Sequence, residues 1–455
     1  MARFPLLAAA LGLAALLVTG RASADDLVAR GAYLATAADC GACHTAPGGA
    51  PFAGGLPLAT PLGKIIATNI TPSKDHGIGN YTLAQFTRAL REGVRGDGAR
   101  LYPAMPYTAY SGLSDDDVRA LYAYFTRAVK PVERSPAATA LPFPFNIRAS
   151  MIGWNLLFLN GKRFQPSPHA STSWNRGAYL AQTLAHCSTC HTPRNLLMAE
   201  ESDHPLAGGS LGAWYAPNIT PDRTAGIGAW SDAELARYLS TGANDHAQAG
   251  GPMREAIDKS LRHLDAADIA ALVTYIRSVP PSSAGAPAMD RAPSPITSDI
   301  DVLSDDRDDG AQLCADNCAS CHQASGLGTR GLPSLVGNAA FRLPSADNVA
   351  SAILAGIWPA TGQAMPAFAH ALTDRQVADL TSFLFRQFGG SRVTITAARV
   401  AALRSGGGGS WLPAVAQTAI AAGCAVTAAG IALLAWRRRR RIPGQAAESG
   451  RERGR

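Results

Sequence analysis

Cys40-Gly-Ala-Cys43-His44 is the stretch on which the fold turns, because the chain repeats it as Cys187-Ser-Thr-Cys190-His191 and Cys318-Ala-Ser-Cys321-His322. C-x-x-C-H is the signature of c-type haem attachment. Two thiols one helical turn apart can each add to a vinyl group at the porphyrin edge, and the adjacent histidine then lies under the iron. A single copy also fits a redox dithiol or half of a zinc site. Three copies spread along one chain, none with a second ligand pair beside it, point to three covalently bound haems c. Six of the eight cysteines are thereby assigned. Cys314 reads as a small buried residue, and Cys424 falls within an apolar run.

Histidine leaves the far side of the iron open, and methionine is the usual ligand there in electron carriers. The chain has seven methionines. Met105, in Leu-Tyr-Pro-Ala-Met-Pro-Tyr, follows His44 by about 60 residues, and Met253, in Gly-Gly-Pro-Met, follows His191 by about 60. Met365, in Gly-Gln-Ala-Met-Pro-Ala-Phe, follows His322 by about 40. Each comes after a Gly/Pro-rich loop that can hold a thioether at the metal. The expected axial pairs are His44/Met105, His191/Met253 and His322/Met365. Met253 lacks the following proline, and His246 competes with it.

Self-similarity extends beyond the pentapeptide. Gly31-Ala-Tyr-Leu-Ala35 precedes the first copy and Gly177-Ala-Tyr-Leu-Ala181 the second. Asn-Ile-Thr-Pro recurs at Asn69–Pro72 and Asn218–Pro221, each followed by a Gly-Ile-Gly turn. Amphipathic helices are expected over Thr82–Arg91 and Ser231–Ser240. Closing helices should be capped at Ser114 and Asp265, with apolar positions at helical spacing. A shorter third unit closes with a capping box at Thr373-Asp-Arg-Gln376. No alternating strand pattern is evident. The expected fold is all-α: three tandem cytochrome c-type domains plus one C-terminal transmembrane helix.

The expected division is a signal peptide (1–24), domain 1 (25–130), a linker with an apolar helix (131–170) and domain 2 (171–280). A Pro/Ser-rich and acidic linker (281–308), domain 3 (309–390), a linker (391–410), a membrane span (411–436) and a basic tail (437–455) follow. Ala22-Ser23-Ala24 marks the leader's cleavage site. The apolar run from Trp411 to Trp436 is long enough to cross a bilayer. Five arginines follow it, which places the tail in the cytoplasm and the haem domains in the periplasm, anchored to the inner membrane.

Net charge is +7. A net six positive charges lie in the tail from Arg437 and two in the leader, so residues 25–436 carry −1. The body has no basic footprint, which argues against nucleic-acid binding.

In order and motif, residues from about Gly31 to Phe388 resemble the tri-haem cytochrome c subunit of membrane-bound periplasmic alcohol, aldehyde and sugar dehydrogenases. The resemblance implies a large partner subunit of flavin, PQQ or molybdenum type that oxidises the substrate. It also implies that the cytochrome carries electrons to membrane ubiquinone without substrate chemistry of its own. A self-sufficient haem enzyme would need an open iron position. A membrane-tethered shuttle feeding a terminal oxidase is the other alternative.

Overall fold

The computed structural model describes residues 24–286, 289–296, 309–328, 332–407 and 412–440. The predicted leader, apart from Ala24, most of the acidic run, Trp411 and the tail beyond Arg440 lie outside the described residues.

The body is mostly helical, and one arrangement occurs in it three times. An N-terminal helix runs into the C-x-x-C-H segment, and a C-terminal helix crosses back over the first. The pairs are Ala24–Ala37 with Asp115–Arg127, Thr172–Tyr179 with Ala266–Ser278, and Asp309–Asn317 with Asp374–Leu384. A glycine sits at every crossing. A Cβ at Gly31 would lie 2.0 Å from the carbonyl oxygen of Ala120, one at Gly177 1.9 Å from that of Ala271, and one at Gly310 2.5 Å from that of Asp379. Only a bare backbone permits so close an approach, so the repeated glycine sets the crossing.

Local signals place the helices well. Thr82, Ser231 and Thr373 each form a full capping box, opening Leu83–Glu92, Asp232–Thr241 and Asp374–Leu384. Ser114 caps Asp115–Arg127 through its side chain. Asp265 occupies the cap position but makes no such bond; its backbone N–H donates instead to the Tyr33 hydroxyl at 3.2 Å.

Strands depart from the all-helical expectation. Among the described residues two antiparallel hairpins occur, Pro57–Thr60 with Gly63–Ile66 and Gly209–Ser210 with Tyr215–Ala216. At four and two residues per strand they are too short to show a period in the sequence.

Two apolar cores result. Leu34, Leu113, Leu121, Leu180, Leu184, Ile257 and Leu272 belong to one that runs continuously through the first two units. Phe341, Ile353, Leu380, Phe385 and Phe388 belong to the third unit's own. Leu412–Arg440 is one long exposed helix, apolar enough over Leu412–Arg438 to cross a membrane.

Candidate functional site

Cys40–His44, Cys187–His191 and Ala319–His322 are short helices that put each histidine one turn beyond its first cysteine. In all three the ring is oriented by its Nδ1. That atom lies 2.6 Å from the carbonyl oxygen of Thr68 for His44, 2.7 Å from that of Pro217 for His191 and 3.1 Å from that of Pro333 for His322. A carbonyl accepts, so Nδ1 carries the proton and Nε2 keeps its lone pair for a metal. Burial holds all three imidazoles below the usual histidine pKa, which keeps them neutral as ligation requires.

The Asn-Ile-Thr-Pro repeats explain how the first two of those carbonyls are fixed. Asn69 donates to the carbonyls of Val132 (2.8 Å) and Arg134 (3.0 Å), and its Oδ1 accepts from the amide and hydroxyl of Thr71. Thr71 Oγ1 accepts in turn from the Val132 amide. Asn218, Thr220 and Ser282 repeat the clamp in the second unit. Each clamp ties the segment after the closing helix to the residue that follows the histidine's carbonyl partner. The sequence shows this motif as a repeat; its purpose appears only in the fold.

Cys40, Cys43 and Cys187 lie in surroundings whose burial pushes their thiols up to about 12. A cavity of about 2270 Å³ opens beside these segments. Cys190, His191 and Met253 line it from the second unit, Cys321, His322 and Met365 from the third, and Cys43 borders it from the first. Space of this size, apolar for the most part and faced by thiols and neutral imidazoles, fits covalently held haem.

The methionines occupy three different settings. Met105 sits in a tight turn, its amide donating to Tyr102 and its carbonyl accepting from Tyr107, and packs against the shared core. Met365 pairs with Ile357 through two backbone bonds of 3.0 and 2.9 Å and packs on the third unit's core. Met253 is not in a loop, as its Gly/Pro-rich approach suggested, but in the first turn of the helix Gly251–Lys259. Pro252 needs no amide partner at a helix start, so the proline there opens the helix. His246, the competing donor, has Nε2 engaged 3.0 Å from Glu234 and its ring stacked on Trp230.

Cys314 is buried and lies beside Cys318; their hydrogen bond pushes the Cys314 thiol up.

The first two units are joined by a contact that is the same in both directions. Asp117, on the closing helix of unit one, accepts from Arg30 of its own unit (3.0 and 2.6 Å) and from Tyr179 of unit two (2.5 Å). Asp268, its counterpart, accepts from Arg176 (2.7 and 2.6 Å) and from Tyr33 of unit one (2.6 Å). Tyr179 and Tyr33 also accept from the amides of Ser114 and Asp265. Burial first, then Asp268, pushes the Tyr33 hydroxyl up to about 12, so it stays a donor. Both tyrosines lie in the repeated Gly-Ala-Tyr-Leu-Ala, so the repeat was legible and its partner was not.

A family model described as Cytochrome c matches residues 28–127 and 175–280, and one described as Cytochrome C oxidase, cbb3-type, subunit III matches 305–384. The chain is 45% identical over 403 residues to the fructose dehydrogenase cytochrome subunit of Gluconobacter japonicus, covering 84% of this chain and 83% of the relative. It is 39% identical to the gluconate 2-dehydrogenase cytochrome c subunit of Pantoea cypripedii, covering 84% and 90%. It is 37% identical to the alcohol dehydrogenase (quinone) cytochrome c subunit of Gluconobacter oxydans strain 621H, covering 88% and 87%.

Proposed function

The chain belongs to the cytochrome c subunits of dehydrogenase complexes, and on that premise we propose that it holds three haems c and passes electrons from a periplasmic dehydrogenase subunit to membrane ubiquinone. When bound, haem iron supplies one-electron redox chemistry near the potentials that axial methionine favours. Domains 25–130, 171–280 and 309–390 each hold one group, attached by Cys40/Cys43, Cys187/Cys190 and Cys318/Cys321. His44, His191 and His322 would ligate the three irons together with Met105, Met253 and Met365. The observation that carries this reading is the triple Nδ1-to-carbonyl anchor, which leaves three Nε2 lone pairs available to a metal.

What the residues do beyond ligation is positional. The reciprocal tyrosine–aspartate contact holds the first two units at a fixed separation, as electron transfer requires. For the quinone step, support comes from Leu412, Val415 and Ala416 of the apolar helix, which line the same cavity as His191 and His322. Residues 411–436 span the inner membrane, with the arginines from Arg437 on the cytoplasmic side and the haem domains in the periplasm. The relatives' names point to a sugar, a sugar acid or an alcohol as the substrate class of the partner, which carries flavin, PQQ or molybdenum.

Purification of the tagged full chain from native membranes in mild detergent, with mass spectrometry of what co-elutes, tests this. A stoichiometric large dehydrogenase subunit is expected. Elution alone or with a terminal oxidase would contradict it.

A further inference from the structure

Eleven large apolar side chains before Leu412 are exposed among the described residues, and seven of them gather in two segments: Phe143, Ile147, Ile152, Leu156 and Leu157 in one, Leu196 and Leu197 in the other. Leu156, Leu157 and Leu196 are 82%, 69% and 80% exposed. The two segments are one surface, because Trp154 Nε1 donates to the Leu197 carbonyl at 2.9 Å. The helix Ser150–Phe158 is fixed to the body by a single face. Asn155 accepts from the Tyr107 hydroxyl (2.8 Å) and donates to the Glu92 carbonyl (3.1 Å), and the Trp154 ring meets that of Tyr107 edge-on. Leu157, Leu196 and Leu197 border the cavity, whereas Phe143, Ile147, Ile152 and Leu156 lie outside its lining and are exposed.

Its place relative to the long apolar helix says what covers it. Gln417 Nε2 donates to the Phe143 carbonyl at 2.8 Å. Gln417 lies five residues beyond Leu412, so about 7.5 Å along the helix axis. That is the depth, roughly 5–10 Å, at which interfacial helices rest at the boundary of headgroups and acyl chains. Residues 141–164 contain Arg148, Lys162 and Arg163 and no acidic residue, which suits an anionic membrane face.

We propose that segment 143–158, through Phe143, Ile147, Ile152 and Leu156, is a lipid-facing surface that lies in the membrane interface beside the anchor and holds the haem units down on the bilayer. The proposal rests on reading 412–440 as a span. Its occupant is phospholipid, not the dehydrogenase partner.

The test is labelling of the full chain, with its partner, in phosphatidylethanolamine/phosphatidylglycerol vesicles containing a carbene-generating phospholipid, followed by peptide mapping. Label on 143–158 at a yield comparable to that on 412–438 is the expected result. In the variant Ile152→Glu/Leu156→Glu the label on 143–158 should fall severalfold while the haem spectrum is unchanged. Label on 412–438 with none on 143–158 above that on the control helix Leu83–Glu92 would overturn the proposal. So would label that reaches 143–158 only after the dehydrogenase is stripped away. Absence of label from 412–438 itself would instead sink the spanning helix, and with it the premise.

Discussion

The first two units are near copies that differ at the residue before the haem-attachment segment, Asp39 in one and His186 in the other. Both backbones are left-handed there, with φ of 52° and 38°. Both side chains are directed into the junction between the units: Asp39 Oδ1 is buried without a hydrogen-bond partner, and the His186 ring lies edge-on to Tyr110. One position in the repeat has thus been filled by an acid and by a base, each held neutral by burial. The units also approach the segment differently, since Ala24–Ala37 is continuous while Thr172–Tyr179 gives way to a π-helical turn over Leu180–Leu184. The duplicated fold keeps its crossings, clamps, histidine anchors and reciprocal tyrosine–aspartate contact, and varies in the residues that lead into the attachment segment.

The largest effects should come from what the units share. His44→Ala and His191→Ala should each yield protein with one haem fewer, counted by intact mass or the pyridine haemochrome. An unchanged haem count in either would break the equivalence. Met105→Ala, Met253→Ala and Met365→Ala should each keep every haem but turn one high-spin, read by electronic absorption and paramagnetic resonance. A spin state left unchanged would remove that methionine from the site.

Gly31→Ala and Gly177→Ala place a methyl group on a facing carbonyl and should each cost about 3 kcal/mol, at the upper end for overpacking. The reciprocal contact comes next. Asp117→Ala strands Arg30 and Tyr179, and the loss should be about 2 kcal/mol, since the Arg30 side chain is 56% exposed and finds water. Tyr179→Phe and Tyr33→Phe should cost about 1 kcal/mol each, by chemical denaturation, and equally if the contact is symmetric.

The pH dependence separates the two copies. Burial, then Glu255, pushes the Asp39 carboxyl up to about 8 from an ordinary 3.8. The folded protein therefore holds a proton that the unfolded chain releases. That contribution is fully present below 3.8 and is lost as pH rises through 8. His186 is the mirror case: burial pushes it down to about 4 from 6.5. Its contribution is present above 6.5 and is lost as pH falls through 4. Asp39→Asn should flatten the alkaline limb of a stability–pH curve and His186→Gln the acid limb. A swap of those outcomes, or no change in either limb, would remove the distinction between the copies.

Much of this was legible in residue order. The attachment segments, the helix starts at Thr82 and Ser231, the capping box at Thr373 and the Ser114 cap are short-range signals, and local backbone chemistry decides them. The hairpin at Pro57–Ile66 was not, because its strands are too short to alternate visibly. Nor was the helical setting of Met253, where Pro252 reads equally as loop or helix start. The Arg30–Asp117–Tyr179 and Arg176–Asp268–Tyr33 contacts were beyond reach for another reason. They join residues 62 to 235 positions apart, and only the packing of one unit on the other brings them together.

Haem stoichiometry and ligation of the purified full-length chain, measured together by intact mass and near-infrared magnetic circular dichroism, test the triple-haem reading most directly. Three haems per chain, all low-spin with one histidine and one methionine, are predicted. Two haems, or a third that is high-spin in the untouched protein, would contradict it.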